Sequence, residues 1–216
     1  VHVLDGVYTT SVTINKPLYL DGSGSSSTTL LEGSGSGNGI YVDRFADGTT
    51  IEGFAIRNFG YGLYLAGWST NSLDGITVTN CALERNVTGA ITATYVNNGY
   101  FADNTIHNDN GFGIDLYVCD DNTIVNNHIY DNVGFGLRVY GASASDTSDN
   151  NVISLNNIHD LGWDGVRIGE RVKNTEVLTN TISNTNAGSG GGFDLGGIAL
   201  YRSIDTRVEC NTITYV

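Results

Sequence analysis

Short apolar runs separated by polar turns recur along the whole chain, and one of them repeats as Gly-apolar-x-apolar. It reads GIYV from Gly39, GLYL from Gly62, AITA from Ala90 as a weaker copy, GIDL from Gly113, GLRV from Gly136, GVRI from Gly165 and GIAL from Gly197. The steps between starts are 23, 28, 23, 23, 29 and 32 residues, a basal period of 23 with loops added to it. A period in the twenties is the mark of a solenoid coil. Upstream of each motif lies a second strand, centred on Ile56, Leu83, Ile106, Ile129, Ile158 and Ile182, and a third fills the coil in TTIEG, DGITVT, NTIVNN, NVISLN and NTEVLT. Two residues before the second strand's centre sits Asn104, Asn127, Asn156, Asn180 or Asn211, with Cys81 in an earlier coil. Stacked asparagines satisfy one another's amides, so an Asn ladder at one turn is expected. No long stretch repeats apolar residues at i, i+3, i+4 and i+7, and a sandwich gives no reason for the 23-residue register. The pattern predicts one all-β domain over residues 1–216. It is a single-stranded parallel β-solenoid of about seven or eight coils with a narrow Val/Ile/Leu core.

Composition sharpens this picture. The 29 glycines, single proline and many Asn, Thr, Ser and Asp between apolar runs fit short strands and numerous turns. A net charge of −13 repels nucleic-acid phosphates and excludes them as partners. It suits an extracellular or cell-surface setting. No apolar run approaches the ~20 residues of a membrane span. Cys81, Cys119 and Cys210 form neither a CxxC pair nor an even set, and read as three small buried hydrophobes without a disulfide. The chain opens VHVLDGVY and stops at NTITYV within a coil, so a mature protein or a module of a longer chain is expected, or end-to-end self-association through uncovered edges.

Chemistry is expected on the outward face of the motif strand. There the apolar residues point inward and x points out, giving the row Tyr41, Tyr64, Thr92, Asp115, Arg138, Arg167 and Ala199. The next outward row is Asp43, Ala66, Thr94, Tyr117, Tyr140, Gly169 and Tyr201. Neighbours one coil apart lie ~5 Å apart. Arg138 and Arg167 suit a uronate carboxylate, and Tyr64 and Tyr201 suit sugar faces. Neutralising the carboxylate acidifies the adjacent C5 proton, as both β-elimination and C5 epimerisation require; Asp115, Tyr117, Tyr140 and Arg138 are the candidate catalytic set. Trp163 and the loops at 142–149 and 187–195 are candidate groove walls. The plainer reading of Asp115 and Arg138 is an exposed cross-strand ion pair.

Of His2, His107, His128 and His159, His107 and His159 face outward on the second strand with Tyr130 between them. They are candidate substrate contacts, and ~10 Å apart they do not share a metal ion. The acidic turns at Asp103-Asn104, Asp120-Asp121-Asn122 and 146–151 are at most a minor invitation to Ca²⁺. No other cofactor is expected.

The opening, from VLDGVYTT to GIYV, resembles NosD-like and carbohydrate-active right-handed β-helix proteins of the pectate-lyase-like superfamily. NTIHNDNGFGIDL and NHIYDNVGFGLRV are similar to the β-helical modules of mannuronan C5-epimerases. The resemblance covers nearly the whole chain and implies right-handed coils. It also places Asp115 where the epimerases carry the Asp of an Asp-Pro-His-Glu motif; Tyr117 stands at their His, and no Pro-His-Glu follows. Two functions stay open at this point. One is an extracellular carbohydrate-active β-helix binding an acidic polysaccharide, as a lyase or epimerase. The other is a non-catalytic structural or adhesive solenoid of a cell-surface or filamentous protein.

Overall fold

The coils are built from strands of two to six residues, and in the three-residue ones that recur along the chain a central apolar side chain turns inward while its neighbours turn out. One coil runs Thr77–Thr79, Ala82–Glu84 and Gly89–Thr94, and Val78, Leu83 and Ile91 are completely buried. The computed structural model describes residues 1–22, 28–185 and 196–215, and among these every regular element is a strand. The expected wall at 187–195 lies outside the described residues.

Coil upon coil, the strands pair in parallel and in register. The first sheet has nine strands, from His2–Val3 to Arg207–Glu209; the second has nine, from Gly6–Tyr8 to Thr212–Thr214; the third has eight, from Val12–Ile14 to Ile198–Leu200. Ile106, Ile129, Ile158 and Ile182 stack as successive partners in the second sheet, all fully buried. Each such side chain contributes roughly 1.5–3 kcal/mol by leaving water. The result is an axial core of Ile, Leu, Val and Phe surrounded by the three sheets.

The motif's glycine has a steric cause. A Cβ on Gly113 would sit 2.4 Å from the carbonyl oxygen of Gly136, and one on Gly136 would sit 2.6 Å from that of Gly165. Here the next coil's backbone lies against the glycine, and no side chain fits between.

The asparagines stack as the sequence implies. The backbone N–H of Cys81 donates to Asn104 Oδ1 (3.0 Å), and Asn104 Nδ2 donates to Asn127 Oδ1 (3.0 Å). Asn127 donates in turn to Asn156, Asn156 to Asn180 and Asn180 to Asn211. A second column, Asn122 on Asn151, precedes the first sheet, and a third, Asn86, Asp109 and Asn132, follows the second. Cys81 and Cys119 are buried as expected. Cys210 is exposed, a correction: it occupies a left-handed corner of the last coil (φ 56°), which points its side chain away from the core.

Candidate functional site

The third sheet presents both outward rows in the expected register. Tyr41 pairs with Tyr64, Tyr64 with Thr92, Thr92 with Asp115, Asp115 with Arg138 and Arg138 with Arg167. Thr94, Tyr117 and Tyr140 follow one another in the adjacent row.

Asp115 and Arg138 close on each other. Arg138 donates from Nε to Asp115 Oδ1 (2.7 Å) and from Nη2 to Oδ2 (2.8 Å), a bidentate pair. The pair is not the exposed one that the sequence suggests, since Asp115 keeps only 5 % of its surface. The cover is aromatic: the guanidinium lies 4.3 Å from the ring centres of both Phe112 and Tyr140. Arg138 Nη2 also donates to the Tyr140 hydroxyl (3.3 Å). Burial, and then the Asp115 charge, push the Tyr140 phenol up to about 12, so it holds its proton at neutral pH. Tyr117 packs on Tyr140 with ring centres 4.7 Å apart.

Arg167 is committed differently. Its Nε donates to Asp164 Oδ2 (2.7 Å), and Asp164, fully buried, also accepts from the Gly196 N–H (2.7 Å). Neither Nη atom of Arg167 hydrogen-bonds another described residue. Its guanidinium lies 4.8 Å from the Phe135 ring centre, and Trp163 meets Phe135 edge-on at 4.8 Å, which places Trp163 beside the arginines as the sequence suggests. Phe112, Phe135 and Asp164 belong to this site and are absent from the sequence reading. The repeated Gly-Phe-Gly at 111–113 and 134–136 is the signal that points to the two rings.

Further along the same sheet the face becomes a tyrosine platform. Tyr64 stacks on Tyr41 (6.0 Å, 10°) and meets Tyr61 edge-on (5.2 Å). Tyr41, Tyr64, Trp68 and Tyr95 line an open groove of about 410 Å³. Tyr95 in turn meets Tyr117 edge-on at 6.4 Å, so aromatic surface runs from the groove to Tyr140. Tyr201 is exposed in the last coil, its ring under Arg202. A larger depression of about 540 Å³ lies elsewhere, against Asn58, Arg85, Asn108 and Asn110, and its lining has no aromatic ring.

His107, His128 and His159 lie on the second sheet, and the structure does not bring them to the Asp115 row. His107, Tyr130 and His159 form the expected stack, with ring centres 4.8 and 5.2 Å apart and planes within 11°. His128 joins them unexpectedly, its Nε2 2.8 Å from His159 Nε2. The signal was present: His128 and Tyr130 flank the inward Ile129, so both face out. Burial, then the neighbouring His159 and His107, lower the pKa of His128 and favour the neutral ring.

In the acidic turns carboxylate oxygens accept from neighbouring amides at Asp120 and Asp121 and from the Ser143 and Thr147 hydroxyls at Asp146 and Asp149. Asp120 Oδ1 accepts from the Asp149 N–H (2.7 Å) and Asp121 Oδ1 from Asn150 Nδ2 (3.2 Å). Among the described residues no three His, Cys, Asp or Glu side chains converge.

A protein-family model described as "Right handed beta helix region" matches residues 38–213. No curated protein matches the chain in sequence. Solved structures that superpose on it include the catalytic domain of a GH87 α-1,3-glucanase in complex with tetrasaccharides, at TM-score 0.66 and 16 % identity; the match covers 94 % of this chain and 40 % of that one. An alginate lyase from Paenibacillus sp. str. FPU-7 superposes at 0.61 and 18 % identity, covering 97 % of this chain and 67 % of that one. The Azotobacter vinelandii mannuronan C-5 epimerase AlgE6 A-module does so at 0.58 and 19 %, covering 98 % and 77 %.

Proposed function

This chain belongs to the right-handed β-helix family, and from that premise we propose that it is a carbohydrate-active β-helix binding an acidic, uronate-type polysaccharide along the outward face of its third sheet. The observation that carries the reading is the continuous strip from the Tyr41/Tyr64 groove through Tyr117 and Tyr140 to Arg167. Aromatic faces suit sugar rings, and neither Nη group of Arg167 hydrogen-bonds another described residue, which suits both to a carboxylate. The superposed glucanase, alginate lyase and epimerase support a glycan ligand, although at 16–19 % identity they speak for the fold. The site of action is extracellular or at the cell surface, where polymers of this kind meet an acidic soluble face.

The chemistry that this strip fits is uronate chemistry, as a lyase or a C5-epimerase. Arg167 neutralises the carboxylate, water takes the C5 proton, and protonated Tyr140, backed by Tyr117, returns one proton to the leaving oxygen in a lyase or to the opposite face of C5 in an epimerase. One observation favours the second reading, a non-catalytic structural or adhesive solenoid: Arg138 bonds both oxygens of Asp115, and the nearly buried carboxylate is committed to that ion pair.

Calorimetric titration with oligouronates and with neutral glucans of equal length tests the proposal. Oligouronates are expected to bind, and Arg167→Ala to weaken them by about 2–3 kcal/mol; because the variant also takes one hydrogen bond from the buried Asp164, its melting temperature is measured alongside, and binding is compared below the lower of the two transitions. Tyr64→Ala is expected to weaken binding without changing the preference for charge. Arg138→Ala is a poorer probe, because it takes both hydrogen bonds from the buried Asp115 carboxylate, whereas Asp164 keeps the Gly196 N–H when Arg167 is removed. Equal binding by wild type and Arg167→Ala, or none by either, transfers the face to the structural reading. Appearance of unsaturated uronate, followed by absorbance, separates a lyase from a binder.

A further inference from the structure

His128 begins the strand His128–Tyr130 and His159 ends the strand Asn157–His159, which is its neighbour in the second sheet. In this register His128 lies opposite Asn157 and Tyr130 opposite His159, so the two histidines are diagonal neighbours on adjacent coils. Their Nε2 atoms converge to 2.8 Å, and their ring centres are 5.0 Å apart. His159 Nδ1 lies 2.6 Å from Asp160 Oδ2, so Nδ1 carries the proton and Nε2 presents its lone pair to His128. Asn184 donates to the other oxygen of Asp160 and holds the carboxylate in place. Tyr130 packs against both rings, at 4.5 Å from His128 and 5.2 Å from His159.

We propose that His128 Nε2 and His159 Nε2 form a chelating pair for a divalent late first-row transition metal, with zinc as the reference ion and water or an exogenous ligand completing the shell. Imidazole nitrogen is the donor such ions prefer. Two nitrogens at 2.0–2.1 Å from a tetrahedral zinc lie about 3.3 Å apart, so the observed pair needs to open by only about half an ångström. Asp160 is the outer carboxylate that fixes tautomer and ring orientation at metal-bound histidines. The side chain of His159 keeps 25 % of its surface, which leaves the pair open to an ion arriving from solvent. The chain's charge of −13 raises the local concentration of cations.

The proton balance closes. The hydrogen bond between the two Nε2 atoms requires a proton on one of them, and His128 supplies it. On binding, two metal–nitrogen bonds form, the His128 Nε2 proton leaves, and Nδ1 of the same ring takes one up from water. The neutral tautomer changes and the net proton count does not. This inference is independent of the glycan proposal, since it rests on another sheet.

Zinc titration of the whole chain by calorimetry tests it, in a His2→Gln background that removes the histidine beside the N-terminal amine. One equivalent of zinc is expected. His128→Gln and His159→Gln should each weaken it at least tenfold, His107→Gln should retain it, and Asp160→Ala should weaken it about 10- to 100-fold. Imidazole ¹⁵N spectra of the same chain should show zinc moving the Nε2 signals of His128 and His159 and leaving His107 in place, a readout needing no variant to fold. Zinc uptake that survives both glutamine substitutions, no uptake by the parent chain, or shifts confined to His107 would each overturn the proposal.

Discussion

Asp109 occupies a position that the coils on either side fill with asparagine. Its backbone N–H donates to Asn132 Oδ1 (2.8 Å), and its own Oδ1 accepts from the Asn86 N–H (2.6 Å), as an asparagine's would. The difference lies in the second atom. Asn86 and Asn132 direct their Nδ2 groups at the carbonyls of Ile56 and Ile106, whereas Asp109 Oδ2 is buried without a hydrogen-bond partner. Only the protonated acid has a hydrogen to offer there. Burial accordingly raises the Asp109 carboxyl to about 8, against the hydrogen bonds from Asn86 that favour its charged form. The native pKa is above the unfolded one, so the native state retains a proton that the unfolded chain has lost. The contribution of Asp109 to stability is therefore present below about pH 4 and is lost as pH rises through about 8. Asp109→Asn is expected to raise stability by about 1–3 kcal/mol at pH 8. Its advantage over the parent, measured by urea unfolding, should shrink steadily towards pH 4. A gap independent of pH would show that burial does not raise the Asp109 carboxyl above its unfolded value.

The strands end at corners, and the corners demand a left-handed backbone. Non-glycine residues with positive φ recur at equivalent positions after the first sheet: Asn80, Asp103, Asn126, Leu155 and Thr179. Asparagine and aspartate tolerate this conformation because their side chains bond locally, and here they also bond each other, as Asn126 Nδ2 does to Asp103 Oδ1. Leu155 has no such compensation. It holds φ 57° with its side chain 59 % exposed, so it bears the strain of the corner without gaining burial. Leu155→Asn is expected to stabilise the chain by about 1 kcal/mol, read as a higher urea midpoint at unchanged slope. The same substitution at Ile153, the buried centre of the strand before it, should do the opposite by several times as much, on the order of 3 kcal/mol.

Across the whole molecule each coil touches only its neighbours, so stability is a sum of coil and interface contributions. Val177 and Ile182 are completely buried between two coils, while their partners Val208 and Ile213 in the last coil keep 39 % and 42 % of their surface. In the 216-residue chain, opening should therefore begin at the strands that hold Val208 and Ile213. Hydrogen exchange is expected to show least protection at the strands Arg207–Glu209 and Thr212–Thr214 and most in central coils such as Tyr100–Ala102 and Phe112–Tyr117. Uniform protection from end to end would mean that the solenoid opens as one cooperative unit.

Whereas the columns at Asn122 and at Asn86 came only with the structure, the coil, its three strands, the asparagine column before the second strand and the outward rows were legible in the chain itself. Each arises from a requirement that every coil repeats: a period of two sorts side chains inward or outward, and a period of 23 sets one coil over the next. Tyr64, Asp115, Arg138 and Arg167 fell into one row for that reason alone. Which neighbour a long side chain then chooses is not periodic. Arg138 turned to Asp115 beneath two aromatic rings, while Arg167 turned to Asp164 three residues before it, so that among the described residues one guanidinium bonds its acid through two nitrogens and the other through one. His128 met His159 across 31 residues because a coil lengthened by its loop still returns its strand to the same register. Row membership follows from backbone geometry repeated coil after coil. Partnership is settled by competition among the charges, hydroxyls and ring faces that surround each side chain, and those are assembled only when the coils stack.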